Sequence, residues 1–201
     1  MKLSNNYLTG LLAIAAVFFV LMGCTRTYTM KKDEMISILQ TGSPLKGIAP
    51  KTFAFKEFRN ARGRGMDDPY LVLRFGVEKF VLEQPTTAVV AMAIRKELER
   101  NGHTCITYSP QSKSDFIVEG SVYKYEILLN IGAYAEVEAN ITVSSASAEN
   151  RLLTKTYEGD YRMVKSGGIG GGKWKTLLNQ ALLAMLKELS TDPDLVAFLE
   201  K

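Results

Sequence analysis

The sequence predicts an α+β fold: a single domain arranged as a two-layer sandwich, with a mainly antiparallel sheet carrying two principal helices on one face. Three observations predict it. Ala135, Val137, Ala139, Ile141 and Val143 alternate with Glu136, Glu138, Asn140, Thr142 and Ser144, the period of a strand with one wet face. Extended runs at 115–129, 133–146 and 151–165 follow one another across short connections, for which an antiparallel meander is the simplest arrangement. Two stretches have a helical period instead: Val90, Ala91, Ile94 and Leu98, then Trp174, Leu177, Leu178, Ala181, Leu182, Met185, Leu186 and Leu189.

The chain begins with one charge, Lys2, and an apolar run from Leu11 to Leu21. That run has the length of a signal-peptide core and is short for a membrane span, which takes about 20 apolar residues. Leu21-Met22-Gly23-Cys24 then ends in a small residue and a cysteine. This stretch resembles the lipobox of bacterial lipoproteins. The resemblance implies cleavage before Cys24 and acylation of that cysteine. Thr25, standing where an aspartate would favour inner-membrane retention, leans towards the outer membrane with the domain facing the periplasm. The expected division is therefore a signal peptide over 1–23, an acylated terminus and tether over 24–50, and one domain over 51–201.

Composition bounds the function. The residues are 46% hydrophobic and 23% charged, ordinary for a domain with a real core. The formal charge of +4 falls to near +3 when Lys2 leaves with the signal. Its basic residues are spread along the chain, which is no nucleic-acid footprint. With Cys24 acylated, Cys105 has no intramolecular disulfide partner, and its apolar neighbours make it a buried small side chain.

Taken in order, residues 25–50 are polar and turn-rich, with Met35–Leu39 as a piece that packs on the domain. Thr52–Phe58 alternates as a half-buried strand. Asn60 to Pro69 is an exposed loop, in which Arg62 and Arg64 are candidates to grip a phosphate, a carboxylate or a partner. Tyr70–Phe75 and Phe80–Leu82 are extended. Gln84-Pro85-Thr86 opens the first helix and Asn101-Gly102 stops it, glycine taking the left-handed cap without a steric penalty. His103–Tyr108 is a short strand. The meander follows, with Gly120 between inward-facing Val118 and Val122, and Tyr157, Tyr161 and Met163 sharing a face. The second helix runs from Lys173 to about Ser190 and brings Trp174 as a further candidate contact residue. Asp192-Pro193 starts a short last helix.

The motifs that carry chemistry are few. Gly167, Gly172 and Lys173 match a phosphate-binding loop as far as the lysine, but Trp174 stands where a serine or threonine would hold magnesium. No nucleotide is expected, and a glycine-rich reversal before the helix suffices. His103 is the only histidine, so a histidine-based metal cluster is impossible. Asp67-Asp68 reads as a loop and Glu136/Glu138 as a wet strand face, neither posed as an acid–base pair. No catalytic residue, metal or cofactor is expected. Tyr123, Tyr125, Tyr134, Tyr157 and Tyr161 are the aromatic side chains available to line a ligand site.

Several strings in order have a family look: Glu83-Gln84-Pro85, the helix end Glu97–Gly102, Ser114–Gly120, Lys155–Gly159 and Leu189–Asp194. Together they resemble the YajG-like family of bacterial envelope lipoproteins and, more loosely, auxiliary lipoproteins of ABC-type lipid transport such as PqiC. The resemblance spans roughly 51–200. It implies a sheet with helices on one side, an envelope location and no known catalytic residues. The expected function is a non-enzymatic accessory or binding component of an envelope assembly or lipid-handling complex. It would be anchored through Cys24 and use a sheet edge or the helix-free face for a protein partner. The alternative is direct binding of lipid or cell-wall fragments.

Overall fold

The computed structural model describes residues 27–31, 44–63, 66–75, 78–130, 132–147, 151–163 and 172–201. Its framework is the predicted meander: β7 (Phe116–Asn130), β8 (Gly132–Ser145) and β9 (Leu152–Met163), antiparallel and in register over nearly their whole length. Helix α1 (Thr86–Arg100) and α2 (Lys173–Thr191) pack on one face, and α3 (Pro193–Glu200) closes the end of the layer. The fold is α+β, with three α-helices against the sheet among the described residues.

The sheet is mixed. Strand β2 (Thr52–Phe55) runs parallel to both its neighbours, β6 (Thr104–Thr107) and β7, and β3 (Arg59–Asn60) continues the parallel pairing with β7. The order is β6-β2-β7-β8-β9. The parallel pair β2/β6 follows from chain connectivity, because the path between them passes through α1, and a crossover of that length returns the chain in the same direction. A second, three-stranded sheet, β1-β5-β4, lies beside the first. Its strands are β1 (Thr27–Met30), β4 (Leu71–Phe75) and β5 (Glu78–Leu82).

This small sheet alters the picture of the stretch expected as a tether. Thr27–Met30 pairs in parallel with Lys79–Leu82, and Met30 is fully buried. A 3-10 turn at Pro44–Gly47 sinks Leu45 and the following Ile48 into the core. Apolar side chains spaced among polar ones were enough to recruit both pieces. Met35–Leu39 lies outside the described residues.

The core fills the space between layers. Inward Val137, Ala139, Ile141 and Val143 of β8 meet Leu177, Leu178, Ala181, Leu182 and Met185 of α2. The two layers touch most closely at Gly159. A Cβ there would stand 2.1 Å from the Ala181 carbonyl oxygen and 2.3 Å from the Met185 nitrogen, so only glycine lets α2 lie this close to β9. Gly102 closes α1 at φ 91° as its position predicts. At the far end of α2, Asp192 caps α3: its carboxylate accepts from the Asp194 N–H (3.0 Å), with Pro193 in the first helical position. The same carboxylate accepts from Lys155 Nζ (2.7 Å) and the Tyr157 hydroxyl (2.7 Å), tying β9 to the α2–α3 junction.

Candidate functional site

On the helix-free side of the meander, alternation dictates the surface. The outward side chains of β8 are Tyr134, Glu136, Glu138, Asn140, Thr142 and Ser144. Strand register sets Glu136 between Glu126 of β7 and Asp160 of β9, and Glu138 between Lys124 and Glu158. Five carboxylates thus form a band across three strands. Like charges directly opposite one another destabilise a sheet, so the band depends on its cations. Lys124 Nζ lies 2.9 Å from Glu138 and 3.6 Å from Glu136, and the hydrogen bond to Glu138 is the main cause of its raised pKa. Arg162 lies over the Tyr134 ring at 5.7 Å, and the Tyr134 hydroxyl donates to Glu136, which pushes its pKa up to about 12. Partial burial, then repulsion from Glu136, raises the pKa of Glu126. The other half of the face is mixed: Asn140 Nδ2 donates to Thr156 (3.0 Å), the Thr142 and Thr154 hydroxyls share a hydrogen bond (2.9 Å), and Glu119 of β7, opposite Thr142, is paired with Lys56 (3.4 Å). On a chain of positive formal charge, this is a local concentration of negative charge on an uncovered face.

Lys124 reaches this face because of a bulge. Phe116, Val118 and Val122 point inward at even positions, whereas Tyr125 and Ile127 point inward at odd ones. The register shifts between Val122 and Lys124, leaving Tyr123 as the extra residue.

A second surface feature lies where β6 ends. Phe55 and Phe58, with Ala88, Ala91 and Met92 of α1, line an open cleft, and Lys56 and Arg95 stand at its walls. The Arg95 guanidinium lies 4.7 Å from the Phe55 ring centre. Lys56 sits 5.3 Å from the Tyr108 ring centre and 3.4 Å from Glu119. By contrast, a void of about 20 Å³ between sheet and helices, lined by Phe53, Ile94, Leu98, Val118 and other apolar side chains, is too small for any ligand beyond a water.

The candidates from sequence fall differently. Arg62 is a buried structural residue, not a ligand grip. Its guanidinium donates to the carbonyls of Leu71 (2.6 Å), Asp68 (2.8 Å), Met66 (3.2 Å) and Tyr125 (3.4 Å), and to Asn60 Oδ1 (2.9 Å). It ties the described residues of the 60–71 loop together by donating to several of its carbonyls, that of Leu71 buried and that of Asp68 shared with the Leu71 N–H. Trp174 is likewise withdrawn from the surface, packed edge-on to Phe80 at 5.4 Å. Cys24 and Arg64 lie outside the described residues, as does the glycine-rich stretch before Gly172. The five tyrosines do not converge: Tyr125 and Tyr157 are buried, while Tyr123 is on the exposed bulge. Asp67 and Asp68 stay in the loop, where Asp68 shares the Arg62 guanidinium's surroundings with Glu126 of the band. His103 is buried beside Phe53, its Nδ1 accepting from the Lys51 N–H (3.3 Å), and burial lowers its pKa. The half-buried Cys105 thiol has its pKa pushed up to about 12, by burial first and then Glu99, so it is an inert side chain at neutral pH. Of the sequence candidates, Glu136 and Glu138 belong to the band, but as members of a charged face. Glu126, Glu158 and Asp160 join them only through cross-strand register, which a single strand's period does not contain.

No family model matches the chain, and no curated protein matches it. Among solved structures, a Xanthomonas campestris protein of the family DUF330, which is PqiC-like, superposes with a TM-score of 0.53 at 16% identity, over 85% of this chain and 91% of that one. An uncharacterised protein matches at 0.53 and 8% identity, over 83% and 97%. A looser match, with a TM-score of 0.42 and 11% identity over 77% and 98%, is the PelC dodecamer of Paraburkholderia phytofirmans; other loose matches include bacterial lipoproteins. For the two matches at a TM-score of 0.53, the likeness at these identities establishes a shared fold and nothing finer. None of these structures carries the YajG name.

Proposed function

We propose that the protein is a lipid-anchored, non-enzymatic accessory component of a bacterial envelope assembly or lipid-handling complex, facing the periplasm from the outer membrane, and that it binds a protein partner through the acidic half of its helix-free sheet face. The observation that carries the proposal is the carboxylate band of Glu126, Glu136, Glu138, Glu158 and Asp160 on a face that no helix of the described residues covers. Charged groups on an open, rigid sheet steer a complementary basic surface and fix its register. The lipobox at Cys24 and the fold shared with the DUF330 protein support the envelope setting. Crosslinked pulldown of the acylated protein from envelopes tests this. The wild-type chain is expected to capture a defined partner, and the double charge reversal Glu136→Lys/Glu138→Lys is expected to lose it while remaining folded. Equal capture by both proteins refutes the assignment of the face.

The cleft supports a second reading, direct binding of a lipid or wall fragment. Its apolar floor of Phe55, Phe58 and Met92 and its cations Lys56 and Arg95 suit an anionic amphiphile. Arg95→Glu is expected to weaken uptake of a fluorescent fatty acid several-fold. Unchanged uptake removes the cleft from consideration.

A further inference from the structure

We infer that one end of the domain, the start of β1 together with the first turn of α2, rests against the phospholipid headgroups. The inference builds on the acylation of Cys24 proposed above and concerns what that anchor does to the orientation of the domain. Only Thr25 and Arg26 separate Cys24 from Thr27, the first residue of β1. Three Cα-to-Cα steps span at most about 11 Å. Thr27 is not a loose end: it is in register with Lys79, and three residues later Met30 is buried and its carbonyl accepts from the Glu83 N–H (2.9 Å). An acyl chain in the bilayer therefore pulls on a strand of the folded sheet. It leaves the domain no room to stand off from the membrane or to turn freely.

The contacts of β1 identify which end is held down. The Tyr28 ring stacks on Phe80 at 4.8 Å, and Phe80 meets Trp174 in the first turn of α2 at 5.4 Å. That turn follows the C-terminal end of β9, so the held end is also the β7–β8 hairpin end of the long sheet. Around β1 and the first turn of α2 the surface suits headgroups, while the carboxylate band starts further along the strands, at Glu126 and Glu136 on the outer face. Tyr28 is 38% exposed. Lys173 is exposed and Lys79 half-exposed, and the Lys175 ammonium lies 5.7 Å from the Trp174 ring centre. An amphipathic tyrosine with flanking lysines is the composition found at membrane–water interfaces, and each lysine near an anionic surface adds attraction. The loop around Lys113 lies at the other end of β7, an extended strand of 15 residues away.

The test uses the full acylated chain, with Cys105→Ala to clear the background thiol, in vesicles of phosphatidylethanolamine and phosphatidylglycerol containing a headgroup-attached quencher. A fluorophore is placed at Thr27→Cys or at Lys113→Cys. Flotation with the vesicles and fatty-acid labelling lost in Cys24→Ser verify the anchor separately. With the anchor verified, quenching several-fold stronger at residue 27 than at residue 113 is expected. Insertion of a 20-residue Gly-Ser linker after Arg26 is expected to reduce that difference while flotation persists. Equal quenching at both positions in an anchored protein overturns the inference. Absence of labelling at Cys24 overturns the anchor and, with it, the orientation drawn from it.

Discussion

At the scale of single residues, the fold turns on a few side chains whose neighbours fix their identity. Gly159 is one, because the α2 backbone occupies the space a methyl group needs. Gly159→Ala is expected to destabilise the domain by roughly 3 kcal/mol, since the clash is with backbone and the helix must move; urea denaturation measures it. Arg62 is another. Arg62→Ala removes the side-chain donor from the buried Leu71 and Tyr125 carbonyls and is expected to cost about 3 kcal/mol. Arg62→Lys does not restore the loss, because an ammonium cannot span acceptors held by a planar fork. Asp192 gives a pH-dependent prediction. Burial alone would raise its pKa, but hydrogen bonds from Lys155, Tyr157 and the Asp194 N–H outweigh burial and hold it below the ordinary aspartate value. Its contribution is therefore complete above the unfolded pKa of about 3.9 and fades as pH falls through the lower folded value. Asp192→Asn is expected to cost about 2 kcal/mol at pH 7. The gap from wild type should narrow below about pH 4 in thermal melts run across pH. A gap that stays constant to pH 2 contradicts this account of Asp192.

At the scale of elements, legibility followed locality. The helix bounds at Pro85, Gly102 and Asp192-Pro193 were readable because caps and stops act within a turn of the chain. The β8 strand was readable because its two faces differ. Three features were not. The parallel placement of β2 rests on partners 52 and 63 residues away, Thr52 with Thr104 and Phe53 with Phe116. The bulge at Tyr123 reverses the inward parity of β7 without leaving a glycine at the site. Strand β1 is only four residues long, with three exposed, so its pattern is that of a polar linker. Its pairing nevertheless has a measurable worth. Met30→Ala is expected to destabilise by about 2–4 kcal/mol, and Met30 marks the point where the segment after Cys24 joins the core. A loss below the error of chemical denaturation would show that β1 is not held as described.

At the scale of the whole molecule, two surfaces divide the work. Helices and the small sheet bury the inner face of the meander, leaving the outer face with a carboxylate-rich half and a half of hydroxyl and amide groups that also carries the Glu119–Lys56 pair. Read along the sequence, this face appeared only as Glu136 and Glu138 on a wet strand. Its extent depends on β7 and β9 lying on either side. Under the proposed function, this face is a platform held close to a membrane for recognition of a basic partner. The most direct measurement is photocrosslinking in intact envelopes, with the crosslinking residue placed at Glu138 on the outer face, or at Lys187 on the helical side, in otherwise native protein. The account predicts a discrete crosslinked species from position 138, suppressed by high salt, and none from position 187. A partner captured from position 187 alone, or no species from either, contradicts it.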